Sequence, residues 1–380
     1  MHRNLSLSLF MAAAFHLGCS SGDTSGATST ASGSGGQGGG QSATGSTSGG
    51  GQGGAGSSST ASGGSTSATG TGGGPTNQAW KCPAGNFQSP NLNGLSAKKI
   101  AGVPPADGFS PGYSVLEGPL WLGDALYLSD IATDSKPPVA RLLELLPATS
   151  TVSIAAATIG SNGLATDKDG NIVAGVHKDG SISRFSVKNL ADPMPIAGSF
   201  MGARFNSPND LAVRSDGNIY FSDPDYQAPA PSPQAKTRVY RIAPGGAVSV
   251  IDDTINNPNG ITLSLDESTL YVTGTSGLYS YPVMADGSVG AGKLLNGALG
   301  GDGMVVDCAG DLYVTGTQNV VVLNPAGTDI GHIAVGGVNG VDATTNVAFG
   351  GPDRKTLFIT TRGSTPALFS VDLGVPGMPY

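Results

Sequence analysis

Short apolar runs, each led by a turn rich in Asp, Gly and Asn, return at a regular interval from residue 113 onward. The centre of each run is an apolar triplet, and the first residues of successive triplets lie 46, 47, 51, 42 and 45 positions apart. The triplets are Leu126-Tyr127-Leu128, Ile172-Val173-Ala174, Ile219-Tyr220-Phe221, Leu270-Tyr271-Val272, Leu312-Tyr313-Val314 and Leu357-Phe358-Ile359. A period of about forty to fifty residues made of short strands and tight turns is typical of β-propeller blades. The pattern therefore predicts an all-β fold, a β-propeller of six blades.

The residues around the triplets alternate between apolar and polar side chains, as they do over 218–222. This period of two is expected of half-buried strands. The turns DKDGN, RSDGN and CAGD supply the Asp-Gly and Gly-Asp pairs that tight hairpins need, because their backbones visit positive φ. Residues 97–103 are predicted to add the outer strand of the last blade, since that arrangement leaves no exposed sheet edge.

An oxygen-bearing side chain stands nine to eleven residues before every triplet, at the predicted start of the first strand of its blade. These residues are Glu117, Asn162, Asn209, Asn259, Asp302 and Asn346. The first strand of each blade lines the central channel of a propeller, so equivalent positions converge on one axis. Carboxylates and carboxamides together predict one divalent cation, best Ca²⁺, with Mg²⁺, Mn²⁺ or Zn²⁺ as alternatives. The other interpretation is that the Asn-Gly and Asp-Gly pairs are ordinary turns and loop caps.

Glycine is distributed unevenly along the chain. Of 61 Gly, 21 lie between Ser20 and Gln78, where Gly, Ser and Thr make up 46 of the 59 residues. This stretch has no aromatic residue and no Val, Ile or Leu, so it cannot bury enough apolar surface to offset the entropy of ordering. We predict a disordered tether over 20–78 and one domain over 79–380. The net charge of −8 falls on that domain, which lacks clustered Lys or Arg and is therefore not expected to bind nucleic acid.

The first nineteen residues have the form of a secretory signal, in which a basic start precedes an apolar stretch too short to span a bilayer. The stretch ends at Cys19 in a sequence that resembles a bacterial lipobox, except that His16 occupies the usual aliphatic position. Residues 1–19 are therefore predicted to be a lipoprotein signal peptide with Cys19 lipidated. Cleavage at an ordinary signal-peptidase site is the alternative. No acidic retention signal follows the cysteine, so we expect a cell-envelope protein, exported, anchored in the outer membrane and facing the periplasm or surface.

Two further cysteines, Cys82 and Cys308, lie in the predicted domain. In an exported protein they are candidates for one disulfide, which would tie the start of the domain to its body. Two buried free thiols are the alternative. No Cys-x-x-Cys pair occurs, which excludes zinc-ribbon and thioredoxin-like chemistry.

Six segments in order resemble the signature segments of the gluconolactonase, or senescence marker protein/regucalcin, family, and they cover nearly all of 113–375. The segments are LEGPLWLGDALYLSDI, SNGLATDKDGNIVAGVH, RFNSPNDLAVRSDGNIYFSDP, NPNGITLSLDESTLYVTGT, GDGMVVDCAGDLYVTG and NVAFGGPDRKTLFIT. The resemblance implies a six-bladed propeller with a divalent cation in its channel.

The resemblance also implies roles for individual residues. The implied metal ligands are Glu117, Asn209, Asn259 and Asp302. Asp302 is also the implied catalytic base, and Arg204 the implied substrate-contacting arginine. Asn162 and Asn346 face the same funnel and are assigned to substrate binding. Asp210 either orients the ligands or is an exposed turn residue.

These observations predict a metal-dependent hydrolase that opens a sugar-type or related lactone. The cation would polarise the carbonyl and activate water, with Asp302 as ligand and base. The alternative is a non-catalytic envelope propeller with a structural cation that binds a glycan or an unidentified protein partner. The stretch over 224–238, here called the Pro-rich segment, is predicted to be a lid or a partner surface.

Overall fold

The computed structural model describes residues 81–103, 112–133 and 138–378. The predicted signal peptide with Cys19 and the predicted tether lie outside these residues. The described parts of the chain form 26 β-strands and no helix, which confirms the all-β prediction. In these parts there is accordingly no apolar helix of membrane-spanning length.

The first eleven strands contain one short strand, two groups of four and a small hairpin. They are β1 (Lys98–Gly102), β2 (Ser114–Leu122), β3 (Ala125–Ala132), β4 (Val139–Leu146), β5 (Thr151–Ala156), β6 (Ser161–Thr166), β7 (Ile172–Val176), β8 (Ser181–Ser186), β9 (Asn189–Ala197), β10 (Ser199–Phe200) and β11 (Ala203–Arg204).

The remaining strands continue the groups of four to the end of the chain. They are β12 (Leu211–Val213), β13 (Ile219–Asp223), β14 (Arg238–Ile242), β15 (Val248–Asp252), β16 (Ile261–Leu263), β17 (Thr269–Gly274), β18 (Gly277–Pro282), β19 (Lys293–Asn296), β20 (Met304–Val306), β21 (Leu312–Thr315), β22 (Asn319–Leu323), β23 (Asp329–Ala334), β24 (Ala343–Gly350), β25 (Thr356–Gly363) and β26 (Ala367–Asp372).

Each blade is an antiparallel sheet whose strands follow chain order, and the last blade borrows a strand from the start of the domain. The blades are β2–β5, β6–β9, β12–β15, β16–β19, β20–β23, and β24–β26 with β1. In the last blade Lys98 pairs with Ser370 and Gly102 with Ala367. The prediction for residues 97–103 is therefore confirmed, and so is the six-bladed propeller.

The apolar core lies between neighbouring blades. The predicted triplets all fall in the second strand of a blade, where most of their side chains are buried. Val173 of the second blade packs in one cluster with Phe221 and Tyr240 of the third. The rings of Phe205 and Phe221 meet edge to face, 4.9 Å apart. Because apolar burial is the main favourable term in folding, these clusters hold the sheets face to face around the axis.

Hydrogen bonds beside the channel join neighbouring blades, and together we call them the inter-blade ring. Three of them are backbone bonds in which a glycine amide donates to a carbonyl: Gly163 to Asn209 (2.8 Å), Gly260 to Asp302 (3.1 Å) and Gly303 to Thr345 (2.7 Å). These bonds link the second blade to the third, the fourth to the fifth and the fifth to the sixth.

Side chains complete the inter-blade ring at the other three junctions. The donors and acceptors are Ser129 Oγ to Asn162 O (2.7 Å), Ile261 N to Asp210 Oδ2 (3.3 Å) and Thr345 Oγ1 to Leu116 O. Every pair of neighbouring blades is thus bonded beside the channel, and the ring closes.

Cys82 and Cys308 form a disulfide bond, with their Cα atoms 5.6 Å apart and a sequence separation of 226. The bond ties the beginning of the described chain to the turn between β20 and β21. Further along, the Ala97 amide donates to the Ala334 carbonyl at 2.9 Å. The leading segment therefore crosses the fifth blade before β1 completes the sixth, and the structure contains a disulfide rather than two free thiols.

The close approach of the inner strands predicts that Gly163→Ala destabilises the fold. An added Cβ would lie 2.6 Å from the Asn209 carbonyl oxygen and 2.6 Å from the Asp210 Cα, so backbone must move. We expect a loss of about 1 to 3 kcal/mol in the free energy of unfolding, measured by urea denaturation. Gly245→Ala is the control, because an added Cβ there meets nothing within 4 Å. Equal stability of the two variants would contradict this explanation.

Candidate active site

The structure brings the six predicted oxygen donors to one end of the inner strands. Strands β2, β6 and β24 contain Glu117, Asn162 and Asn346, respectively. The other three donors each lie two residues before a strand: Asn209 before β12, Asn259 before β16 and Asp302 before β20. All are buried except Asp302, which is partly exposed. Asn162 and Gly163 sit inside β6, so this Asn-Gly pair is not an ordinary turn. Glycine follows the donor there because the neighbouring strand approaches too closely for a side chain.

Glu117 and Asp302 stand next to each other although both are acidic. The carboxylates of Asp302 and Glu117 are within electrostatic reach of each other, Asn259 lies beside Asp302, and Asn346 Nδ2 donates to Glu117 Oε2 at 3.1 Å. Burial, followed by the charges of Asp302 and Asp210, raises the pKa of Glu117 well above its usual range. Burial also raises the pKa of Asp302 to about 7. The pair is therefore stable only when a proton or a cation compensates its charge.

Two carboxamide oxygens of the site have no hydrogen-bond partner among the described residues. They are the buried Oδ1 atoms of Asn162 and Asn259. An unpaired buried polar atom costs about 1 to 3 kcal/mol, so a ligand for these oxygens is expected. With the adjacent carboxylates, the Asn259 oxygen belongs to an oxygen-rich set that fits a hard cation such as Ca²⁺, and the Asn162 oxygen remains available to a substrate. Over the described ranges, no three His, Cys, Asp or Glu side chains cluster with metal-binding geometry, so the fit depends on mixed carboxylate and carboxamide donors.

Asp210 occupies the position that glycine takes after the donor in four of the other blades. Its carboxylate is buried and accepts hydrogen bonds from the Leu211 amide at 3.0 Å and the Ile261 amide at 3.3 Å. Asn346 Nδ2 lies 3.5 Å from its Oδ2 atom. Burial raises the pKa of Asp210 to about 7. Asp210 thus links the third blade to the fourth and holds Asn346, and its interpretation as an exposed turn residue is wrong.

Arg204 lies in β11, and its guanidinium is turned toward backbone carbonyl groups. It donates to the carbonyls of His177 at 2.9 Å, Phe205 at 3.2 Å and Lys178 at 3.3 Å. Within the described residues, no hydrogen bond or ion pair joins Arg204 to the six donors. Its role in substrate binding therefore stays a prediction.

Two residues at the mouth of the site were missed by the sequence analysis. Tyr226, in the Pro-rich segment, lies close to the Asn259 carboxamide and is within electrostatic reach of Asp302. Arg362 stands near the end of β25, in register with Val115 of β2, and its charge lowers the pKa of Asp302 against the larger effect of burial. Neither residue occupies a position that repeats from blade to blade, so periodicity gave no signal for them.

A separate cavity of about 690 Å³ lies at the opposite end of the inner strands. Thr166, Val213 and Leu263, the last residues of β6, β12 and β16, line it. Most of its charged side chains are paired with one another, as in the 2.6 Å ion pair between Arg184 and Asp167. None of the six donors borders this cavity, so we place the candidate chemistry at the donor end.

Comparison with known proteins supports the resemblance noted in the six segments. The family model described as SMP-30/Gluconolactonase/LRE-like region matches residues 115–363. The gluconolactonase of Zymomonas mobilis is 29% identical over 273 residues, which are 64% of this chain and 75% of that protein. The pentonolactonase of Haloferax volcanii is 26% identical over 290 residues, which are 69% of this chain and 92% of that protein.

A solved structure agrees with these matches. The gluconolactonase structure from Xanthomonas campestris superposes with a TM-score of 0.60 and 25% identity, covering 80% of this chain and 97% of that chain. The range matched by the family model contains all six donors. On these grounds, the chain belongs to the SMP-30/gluconolactonase/LRE-like family.

Proposed function

We propose that the protein is a divalent-cation-dependent lactonase that opens a sugar-type or related lactone to the hydroxy acid. The observation that carries this proposal is the meeting of Glu117 and Asp302 with the partnerless carboxamide oxygens of Asn162 and Asn259. Relatives named gluconolactonase and pentonolactonase support a lactonase enzyme with a small-molecule substrate.

Four residues would hold the cation: Glu117, Asn209, Asn259 and Asp302. Ca²⁺ is the ion we expect, because it accepts many oxygen ligands in flexible geometry, with Mg²⁺, Mn²⁺ and Zn²⁺ as alternatives. The two carboxylates supply the charge that a divalent cation balances. When bound, such an ion polarises a carbonyl and stabilises the negative charge that develops on its oxygen.

Asp302 is the residue we assign as general base. Asp302 is partly exposed, whereas Glu117, the other carboxylate proposed to bind the cation, is buried. Asp302 would take a proton from the water whose oxygen attacks the lactone carbonyl carbon. It would return the proton to the ring oxygen as the ring C–O bond breaks. Asn346 holds Glu117 in place, while Asn162 and Arg204 are the predicted substrate contacts.

We also propose that the protein acts outside the inner membrane, anchored through a lipid at Cys19. The disulfide between Cys82 and Cys308 supports this location, because disulfides persist in oxidising compartments. A Gly/Ser/Thr tether of this length has an r.m.s. reach of about 40 Å, enough to hold the domain clear of the bilayer.

The anchor predicts that cells expressing the full chain incorporate labelled palmitate into it. Cys19→Ser should abolish the label while the disulfide and the folded domain are retained. The measurement is autoradiography of the purified protein. A natural chain that takes up no palmitate would contradict the anchor and favour an ordinary signal-peptidase site.

The assigned base predicts that Asp302→Asn lowers kcat on D-glucono-1,5-lactone at least about a hundredfold, as loss of roughly 3 kcal/mol of transition-state stabilisation would. Chelation of the natural protein should also stop hydrolysis, and added Ca²⁺ should restore it. Initial rates by pH-stat titration measure both. Asp329→Asn, on the outer strand β23, is the matched control and should keep full activity. Full activity of Asp302→Asn with metal present would refute the base, and metal binding without turnover of any lactone would favour the non-catalytic propeller.

The same Asp302→Asn protein should be more stable than the natural protein after chelation at neutral pH. The pKa of Asp302 in the fold, about 7, exceeds its ordinary value of 3.8. The carboxyl therefore contributes most to stability below its unfolded pKa, and this contribution is lost as pH rises through about 7. In thermal denaturation, the Tm of the variant should exceed that of the natural protein by an amount that grows as the pH rises from 3.8 to about 7. A difference that does not vary with pH would contradict the raised pKa.

A further inference from the structure

The Pro-rich segment is fastened to the propeller at its first residues. The Ser207 hydroxyl donates to the Pro224 carbonyl at 2.6 Å, and the Gln227 amide donates to that hydroxyl at 3.3 Å. The Asp225 amide donates to Asn257 Oδ1 at 3.2 Å. Ser207 and Asn257 each stand two residues before a predicted metal ligand. The segment is thus tied to the chain that carries the ligands.

The later part of the Pro-rich segment is fastened as well. Gln234 Nε2 donates to the carbonyls of Phe200 and Ala203 at 3.0 and 2.9 Å, and the Gln234 amide donates to Asn206 Oδ1 at 2.8 Å. Asn206 Nδ2 donates in turn to the Lys236 carbonyl at 3.1 Å. With bonds at both ends, the segment is held against the propeller and forms a wall of the site.

Tyr226 stands in the fastened part of this wall, between Asp225 and Gln227. Its side chain is 49% exposed. The phenol lies close to the Asn259 carboxamide and is within electrostatic reach of Asp302 and Arg362. The phenol therefore borders the mouth that leads to Asp302, with part of its ring uncovered.

We propose that Tyr226 contacts the substrate and selects lactones that carry hydroxyl groups. Its ring would pack on one face of the sugar ring, and its hydroxyl would hydrogen-bond a substrate hydroxyl. A phenol suits this task because it joins a rigid apolar surface to a polar tip. A substrate that lacks the hydroxyl cannot form this hydrogen bond and therefore binds more weakly. The proposal rests on the lactonase function proposed above.

The kinetic test compares Tyr226→Phe with the natural protein on two lactones of equal ring size, D-glucono-1,5-lactone and δ-valerolactone. The variant should lose about tenfold in kcat/KM on the hydroxylated lactone, as expected for one hydrogen bond. On δ-valerolactone, which has no hydroxyl group, the change should stay below about twofold. Tyr279→Phe, which removes a phenol from β18 outside the mouth, is the matched control. Equal losses on both lactones, or no loss on either, would overturn the proposal.

A binding measurement separates the role of Tyr226 from the lactonase function. D-glucono-1,5-lactam keeps the ring and the hydroxyl groups but resists hydrolysis, so calorimetric titration with Ca²⁺ present reports binding alone. Tyr226→Phe should bind it about tenfold more weakly than the natural protein. If that weakening is seen but no lactone is hydrolysed, the lactonase function fails and the assignment of Tyr226 stands. If both proteins bind the lactam equally, or the natural protein does not bind it, the assignment of Tyr226 fails.

Discussion

The inter-blade ring is the constraint on which the site and the fold both depend. Its bonds require neighbouring inner strands to approach so closely that glycine is needed where Gly163 faces the Asn209 carbonyl. The residue before this glycine, Asn162, presents an oxygen donor to the channel, and the corresponding donors of the other blades lie at the same level. Because the donors are held by strands that are bonded to one another, their positions are set by the propeller itself. A site built on rigid elements is more accurately positioned than one built on loops.

The same packing forces charged groups into an arrangement that is unfavourable on its own. Glu117, Asp302 and Asp210 are brought together, and burial raises the pKa of each carboxyl. The buried Oδ1 atoms of Asn162 and Asn259 are left without partners among the described residues. The apolar contacts between blades offset this local destabilisation. A cation that removes it would connect stability to function, as is common where an active site is strained or charged.

Much of the fold was predictable because the period of the apolar triplets reports the blades, and the donors stand at fixed offsets from them. The outer strand over 97–103 followed from the need to cover a sheet edge. The role of Asp210 was undecided from sequence, since an Asp after Asn is common in turns and only its burial between two blades reveals its bonds. Tyr226 lies in an irregular segment and gave no periodic signal. The direction of the Arg204 guanidinium depends on the carbonyls of His177 and Lys178, which tertiary packing brings near it.

Calorimetric titration of Ca²⁺ into the chelator-treated protein is the measurement that tests the central claim most directly. If the donors at the axis form a cation site, one ion binds per chain. Asn259→Leu, which removes one partnerless oxygen, should then weaken that binding at least about tenfold. No saturable binding by the natural protein, or equal binding by the natural protein and Asn259→Leu, would contradict the assignment of these residues as the metal site.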